Sequence, residues 1–266
     1  MRKIVSFMMV AVVMLGIFGV ASGAVLLDEQ FTGDLSNWTV LNGGGNTTAT
    51  VSGGQLNITQ TNSDQWTPNG VESKVAYALP AGPTGKLIVD FYGTNIIDLP
   101  NALNTHSAPG YFLSQYQSTG NRFQGWNNYI GIKGKDGTYG NWAQWTGTNS
   151  DGYVDLGSFN DGTYGTVTKH LILTVDAANI NVYVADNYFE NLVNPVAVYT
   201  AATSSIFNAE WTGAVYVNMM SEKITGWYSG TTVENFDGVK VTAIPEPVSL
   251  VLFGVGGVTM LLRKKK

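Results

Sequence analysis

Short runs in which apolar side chains fall at every second position recur from residue 24 to residue 244, and Gly, Asn, Asp or Pro closes each run. A period of two marks a strand buried on one face, and no long run of helical period interrupts it. The pattern predicts strands over 25–31, 47–51, 55–60, 71–79, 86–93, 111–116, 129–133, 170–176, 179–185, 196–200, 215–220 and 235–242. Two hairpins follow from the linkers. Ser52-Gly53-Gly54 supplies positive φ between 47–51 and 55–60, and Ala177-Ala178 joins 171–175 to 180–184. So many strands within a little over 200 residues make one domain of two stacked sheets, an all-β, antiparallel β-sandwich. The stretch 101–109 lacks the pattern and is expected as a surface loop. The chain has no Cys, so core burial must hold this fold without disulfides.

The two longest apolar runs lie outside the patterned region. Arg2 and Lys3 precede an apolar run over 4–20, and the small residues Ala21, Ser22, Gly23 and Ala24 follow at once. This is the order of a secretory signal peptide, here 1–23, with cleavage after Gly23 or Ala24; an uncleaved anchor helix is the alternative. At the other end Pro245-Glu246-Pro247 precedes an apolar run over 248–262 and the basic end Arg263-Lys264-Lys265-Lys266. The run is shorter than the roughly 20 residues of a comfortable membrane-spanning helix. Terminal Lys and Arg side chains compensate by snorkelling to the cytoplasmic headgroups. Pro245 and Pro247 fix their backbone angles and keep the site before the anchor extended.

These three unlike elements, over 245–266, resemble the PEP-CTERM sorting signal. The basic end carries Lys where that family is usually richer in Arg, and an ordinary tail anchor is the alternative reading. The resemblance implies an exosortase as processing partner, recognising the Pro-Glu-Pro region. It also implies a precursor anchored by a transmembrane helix in the inner membrane of a Gram-negative bacterium that secretes exopolysaccharide, and then a place at the cell surface or outside it. The folded domain is left as 24–244.

Several pieces of that domain resemble the concanavalin A-like lectin/glucanase (LamG-like) jelly roll. They are the opening Asp28-Glu29-Gln30-Phe31-Thr32-Gly33-Asp34-Leu35 with Trp38, the hairpin around Gly53-Gly54, the pair 171–175 and 182–184, and the closing Asn235-Phe236-Asp237-Gly238-Val239. The resemblance implies that the first and last strands lie side by side in one sheet. It also implies a structural calcium tying those strands through Asp28, Glu29 and Asp237. No cofactor follows from the residues alone.

Members of that fold include glycoside hydrolases, whose retaining mechanism needs two carboxyl groups about 5 Å apart. The enzymes resembling this chain supply them from one strand as Glu-x-Asp-x-Glu or a near variant, and no such segment occurs here. Glu72 is followed by Ser73 and Lys74, Asp90 stands between Val89 and Phe91, and Glu234 and Asp237 are three apart. There is no thiol nucleophile, no His-Glu-x-x-His and no Gly-x-Ser-x-Gly. His170, at the start of a strand beside Lys169, reads as solvent-facing or packed, and His106 as part of a loop. A formal net charge of -5 and a pI near 4.9 exclude nucleic-acid binding as the expected role.

The segment 111–153 interleaves aromatic residues with amides. Flat rings stack on sugar C–H faces and amides exchange hydrogen bonds with hydroxyls, so Trp126, Asn128, Tyr129, Trp142 and Trp145 are candidate glycan contacts. The competing reading is core packing. Trp142 and Trp145 are three apart, which on a straight strand turns them to opposite faces. Asn149-Ser150-Asp151-Gly152 with Asp155 lacks the end ligands of a calcium loop and reads as a turn, as do Asp136-Gly137 and Asp161-Gly162. The expectation is a non-catalytic exported protein, structural or adhesive in association with exopolysaccharide. A carbohydrate-binding module is the alternative, and a glycoside hydrolase or polysaccharide lyase the second.

Overall fold

A computed structural model describes residues 23–42, 47–61, 69–82, 84–94, 107–118, 128–134, 143–147, 167–223 and 231–246. Sixteen strands appear among them. The first eight are β1 (Ala24–Glu29), β2 (Trp38–Leu41), β3 (Thr47–Ser52), β4 (Gln55–Thr61), β5 (Asn69–Ser73), β6 (Tyr77–Ala78), β7 (Lys86–Gly93) and β8 (Ser107–Ser114). The rest are β9 (Tyr129–Gly134), β10 (Ala143–Gly147), β11 (Lys169–Val175), β12 (Asn179–Ala185), β13 (Tyr199–Ala202), β14 (Ala214–Lys223), β15 (Thr231–Phe236) and β16 (Gly238–Ile244). A 3-10 turn (Phe189–Asn191) and one turn of helix, α1 (Thr203–Ile206), interrupt the connections around β13.

The strands form a six-stranded sheet in the order β1-β16-β7-β11-β12-β13, and a seven-stranded sheet in the order β10-β9-β8-β14-β5-β2 with β6 also on β14. A small third sheet is β15-β4-β3. Every pairing is antiparallel. The period of two builds the core directly. Leu87, Val89 and Phe91 of β7, Leu171, Leu173 and Val175 of β11 and Val239 and Val241 of β16 meet Val71, Tyr111, Leu113, Val215, Val217 and Met219 from the seven-stranded sheet. Tyr111 joins the layers, its ring 5.3 Å from Phe91 and 5.2 Å, edge-on, from Phe236.

Both expected hairpins are present. Gly53 and Gly54 take φ of 63° and 77° between β3 and β4, where side chains with a Cβ are strained. Asp176 Oδ1 accepts from the N–H groups of Ala178 and Asn179 at 2.8 and 2.7 Å, which shapes the β11–β12 turn. β1 lies against β16, first strand beside last.

Other boundaries differ, each for a local reason. The expected strand 71–79 breaks into β5 and β6, because Ser73 Oγ turns to the Val75 carbonyl at 2.9 Å and receives the Val217 N–H at 3.0 Å. The expected strand 235–242 divides at Asp237, leaving β15 in the small sheet and β16 in the six-stranded one. Asp237 fixes that corner by accepting from Thr94 N–H at 2.8 Å and from the Gln55 amide. The stretch 196–200 yields to Tyr199–Ala202, with Val196 84% exposed despite its alternating neighbours. Residues 107–109 of the expected loop already belong to β8, and β2 and β10 form where no strand was expected. No helix among the described residues is long and apolar enough to cross a membrane, and the apolar runs 4–20 and 248–262 lie outside them.

Candidate functional site

The alternation that sends Val215, Val217 and Met219 into the core turns Tyr216, Asn218 and Met220 to the outer face of the seven-stranded sheet. Register extends this face sideways: Asn218 lies opposite Glu72 and Phe112, Met220 opposite Gly70 and Gly110, and Ser114 opposite both Tyr216 and Tyr129. The result is an apolar row beside a polar one. Leu41, Phe112 and Met220 form a buried cluster of their own, with Tyr129 edge-on to Phe112 at 5.3 Å. Glycines make room for it. A Cβ on Gly131 would come within 2.8 Å of Phe112 Cα and closer still to the Tyr111 carbonyl, and one on Gly110 would enter the Phe112 ring.

In the polar row Glu72 is fully buried. Its two oxygens accept the Ser118 N–H at 3.0 and 3.1 Å, and the Ser118 hydroxyl donates to one of them at 2.8 Å. Burial pushes this carboxyl above the ordinary carboxylate range, and the Ser118 hydrogen bonds oppose the shift. Asn218 donates to Ser114 Oγ at 3.0 Å, and its own buried carbonyl oxygen has no hydrogen-bond partner among the described residues.

At the end of β8 the row runs into a network of amides. Asn128 donates to Gln115 Oε1 at 3.1 Å, Gln115 donates to Asn208 Oδ1 at 2.6 Å, and the Asn208 N–H returns to Gln115 Oε1 at 2.9 Å. The Tyr116 hydroxyl donates to Glu210 Oε2 at 2.9 Å and accepts from Asn208 Nδ2 at 3.0 Å. Asn128 sits at φ +48°, a left-handed conformation that Asn tolerates better than most side chains. Tyr116, Asn128, Tyr129 and Tyr216 are half-buried, while Asn208 and Glu210 are exposed. Chemically this rim offers aromatic faces beside fixed donors and acceptors.

The outer face of the six-stranded sheet is built otherwise. Asp90 on β7 and His170 on β11 are 2% and 4% exposed, with Oδ1 2.7 Å from Nδ1. Tyr92 stacks on His170 at 5.7 Å, and Tyr188, from the segment after β12, packs edge-on at 4.6 Å. Lys240 reaches over the Tyr188 ring and pairs with Glu190 at 2.5 Å. Burial raises the Asp90 carboxyl, against the pull of the His170 hydrogen bond. The Glu190 hydrogen bond raises Lys240. Tyr188 packed on His170 and the Lys240–Glu190 ion pair together fasten the 188–190 segment to the sheet.

Of the expected glycan contacts, Asn128 and Tyr129 come together at this rim. Trp145 lies on β10 opposite Ile132, and Trp126 and Trp142 lie outside the described residues. The expected calcium ligands do not converge. Glu29 accepts the Phe31 N–H at 3.0 Å and the Trp38 indole N–H at 3.2 Å, Asp237 is held by Gln55 and Thr94, and Asp28 is exposed beside Gln30. Among the described residues no group of three or more His, Cys, Asp or Glu could hold a metal ion. Of the sorting residues, Pro245 and Glu246 are described, while Pro247, Arg263, Lys264, Lys265 and Lys266 are not. Sequence reasoning missed Tyr216, Asn218 and the Asp90–His170 pair. The signal available for Asn218 was a lone amide at an outward position within the uncharged run 214–220 of β14.

No protein-family profile matches the chain, and no curated protein matches it. Solved structures do. An endo-1,3-beta-glucanase from Streptomyces sioyaensis superposes with a TM-score of 0.54 at 15% identity, over 84% of this chain and 97% of that one. Arcelin-5, a lectin-like defense protein from Phaseolus vulgaris, gives 0.52 at 14% identity, over 84% and 99%. The lectin from Bauhinia forficata in complex with GalNAc gives 0.50 at 12%, over 84% and 98%. At these identities the likeness is one of fold, and the fold is the jelly-roll β-sandwich shared by concanavalin A-like lectins and this glucanase.

Proposed function

We propose that this chain is an exported, non-catalytic carbohydrate-binding protein, sorted through its 245–266 segment and adhesive towards extracellular polysaccharide. One observation carries the reading. The cross-strand row Tyr129–Ser114–Tyr216 continues into the Gln115–Asn128–Asn208 and Tyr116–Glu210 network, so aromatic faces and oriented amides share one half-exposed rim. That pairing is the chemistry a pyranose needs. Structural neighbours named as lectins and as a glucanase support it. Charge narrows the ligand, since residues 24–244 hold 18 Asp and Glu against 8 Lys and Arg, which favours a neutral glycan over a polyuronate. The non-catalytic reading rests on Glu72: its register neighbours are Thr39 and Asn218, neither a carboxylate, and both its oxygens are engaged by Ser118.

A glycan array followed by calorimetry on the purified chain, with and without calcium, tests this. Binding to a neutral glycan that is lost in Tyr216→Ala is expected. Absence of binding to every glycan, or release of reducing ends from a bound polysaccharide, refutes it.

A further inference from the structure

The chain does not leave the sandwich freely at the end of β16. That strand pairs with β7 as far as Ile244 opposite Lys86, Pro245 follows, and Glu246 turns its carboxylate towards Gly82 and Thr84. There the Thr84 N–H donates to Glu246 Oε1 at 2.7 Å. The turn has a shape that admits this side chain. Gly82 takes φ +106°, where residues with a Cβ are strained, and a Cβ on it would come within 2.6 Å of Glu246 Cγ and closer to the carboxylate. Gly85 closes the turn through its N–H to the Gly82 carbonyl at 3.3 Å, and a Cβ on Gly85 would meet the Pro80 carbonyl at 2.5 Å. A donor aimed at the carboxylate and a glycine that leaves space for it are separate features, and both converge on one side chain.

We infer that Gly82 and Thr84 form a docking site for Glu246, which holds the Pro245-Glu246 segment against the sandwich as part of the folded domain. The consequence rests on reading 245–266 as a sorting signal. A membrane protease that grips an extended Pro-Glu-Pro needs that segment free, so only the undocked fraction of the molecules is presented to it. The domain then sets the rate of its own processing.

Amide hydrogen exchange at Thr84, in the full chain held in detergent micelles, tests the dock. In Glu246→Ala and in Gly82→Ala, Thr84 is expected to exchange about fivefold faster than in the wild type, a factor equivalent to about 1 kcal/mol. The amides of Val89 and Leu173 are expected to keep their protection, which separates loss of the dock from loss of the fold. Equal Thr84 exchange in the wild type and Glu246→Ala overturns the dock. Processing is read separately in the exporting cell, with Gly82→Ala, which leaves Glu246 for the enzyme. Faster loss of the tail than in the wild type is expected, and an unchanged rate despite faster Thr84 exchange overturns the control of processing. If the wild-type chain keeps its tail throughout, the sorting reading fails, and the exchange measurement still decides the dock.

Discussion

Removing His170 leaves Asp90 in the interior without the side-chain partner it has among the described residues, and the cost follows from the geometry. Asp90 is 2% exposed, its Oδ1 is 2.7 Å from His170 Nδ1, and among the described residues no side chain bonds its Oδ2. Breaking a buried pair by deleting one member costs about 3–5 kcal/mol, because the remaining polar group stays desolvated and uncompensated. His170→Ala also empties the space between the Tyr92 and Tyr188 rings, which adds a packing loss of the same sign. Against a total stability of roughly 5–15 kcal/mol this is a large fraction. Replacing both residues together, as in Asp90→Leu/His170→Phe, removes the stranded polar group and is expected to cost only about 1 kcal/mol or less. Urea unfolding of the wild type, the two single variants and the double variant, with an unchanged m-value, gives the coupling. A double variant whose loss equals the sum of the two singles refutes the reasoning, as does a His170→Ala loss within the range of a surface substitution.

Gly131→Ala is expected to destabilise by about 1–3 kcal/mol in the same urea assay, because its Cβ meets the backbone of Tyr111 and Phe112 rather than a movable side-chain tip. Glu72→Gln is expected to flatten the pH dependence of stability. The folded Glu72 carboxyl titrates above its unfolded value, so the wild type binds more protons folded than unfolded and loses stability as pH rises from the unfolded carboxylate range through the folded titration; the variant lacks that fall, which unfolding curves at successive pH values measure. Tyr116→Phe removes the hydroxyl between Asn208 and Glu210 and is expected to weaken glycan binding by about fivefold, the loss of one hydrogen bond of about 1 kcal/mol, with the unfolding midpoint nearly unchanged.

How much of this was legible in the chain depends on which interaction set each element. β7 and β12 match their expected bounds because one face of each is filled by core residues at alternate positions, and that pattern is local. The Gly53-Gly54 hairpin is local too. β2 was not legible, because Trp38-Thr39-Val40-Leu41 is a strand only through its pairing with β5, about thirty residues away. The break at Asp237 was equally hidden, since it depends on Gln55 and Thr94 arriving from distant parts of the sequence. The site divides in the same way. Asn128 and Tyr129 stood out by residue type in an aromatic and amide-rich segment, whereas Tyr216 joins them only through Ser114, and Asp90 finds His170 only when β7 pairs with β11. Sequence periodicity reports which face a residue is on, and it carries no information on which residue of another strand lies beside it.

The outer faces of the two sheets meet the same difficulty in opposite ways, and this bears on where the proposed glycan would bind. An outward face of a sandwich must be wet or covered, and on the six-stranded sheet Ile88, Asp90, His170 and Ile172 are all buried. Tyr188 packs on His170 there, and Lys240 links the same segment to the sheet through Glu190. Under the proposed function, a glycan would reach that face only by displacing the segment and exposing the buried Asp90–His170 pair, at a cost that weak sugar contacts do not offset. On the seven-stranded sheet the apolar row is buried as well, but the row ends in Tyr129, Tyr216 and Tyr116, which stay half-exposed with their neighbouring amides already oriented by one another. Binding there requires no rearrangement of a charge and little loss of side-chain freedom, which is the condition under which a few hydrogen bonds and one stacked ring suffice for a measurable affinity. Under the proposed function, the Asn, Gln and Tyr of the rim are neutral groups that a neutral sugar would half-dry without the desolvation penalty of a Lys or Arg rim, while Glu210 keeps its carboxylate at the exposed edge.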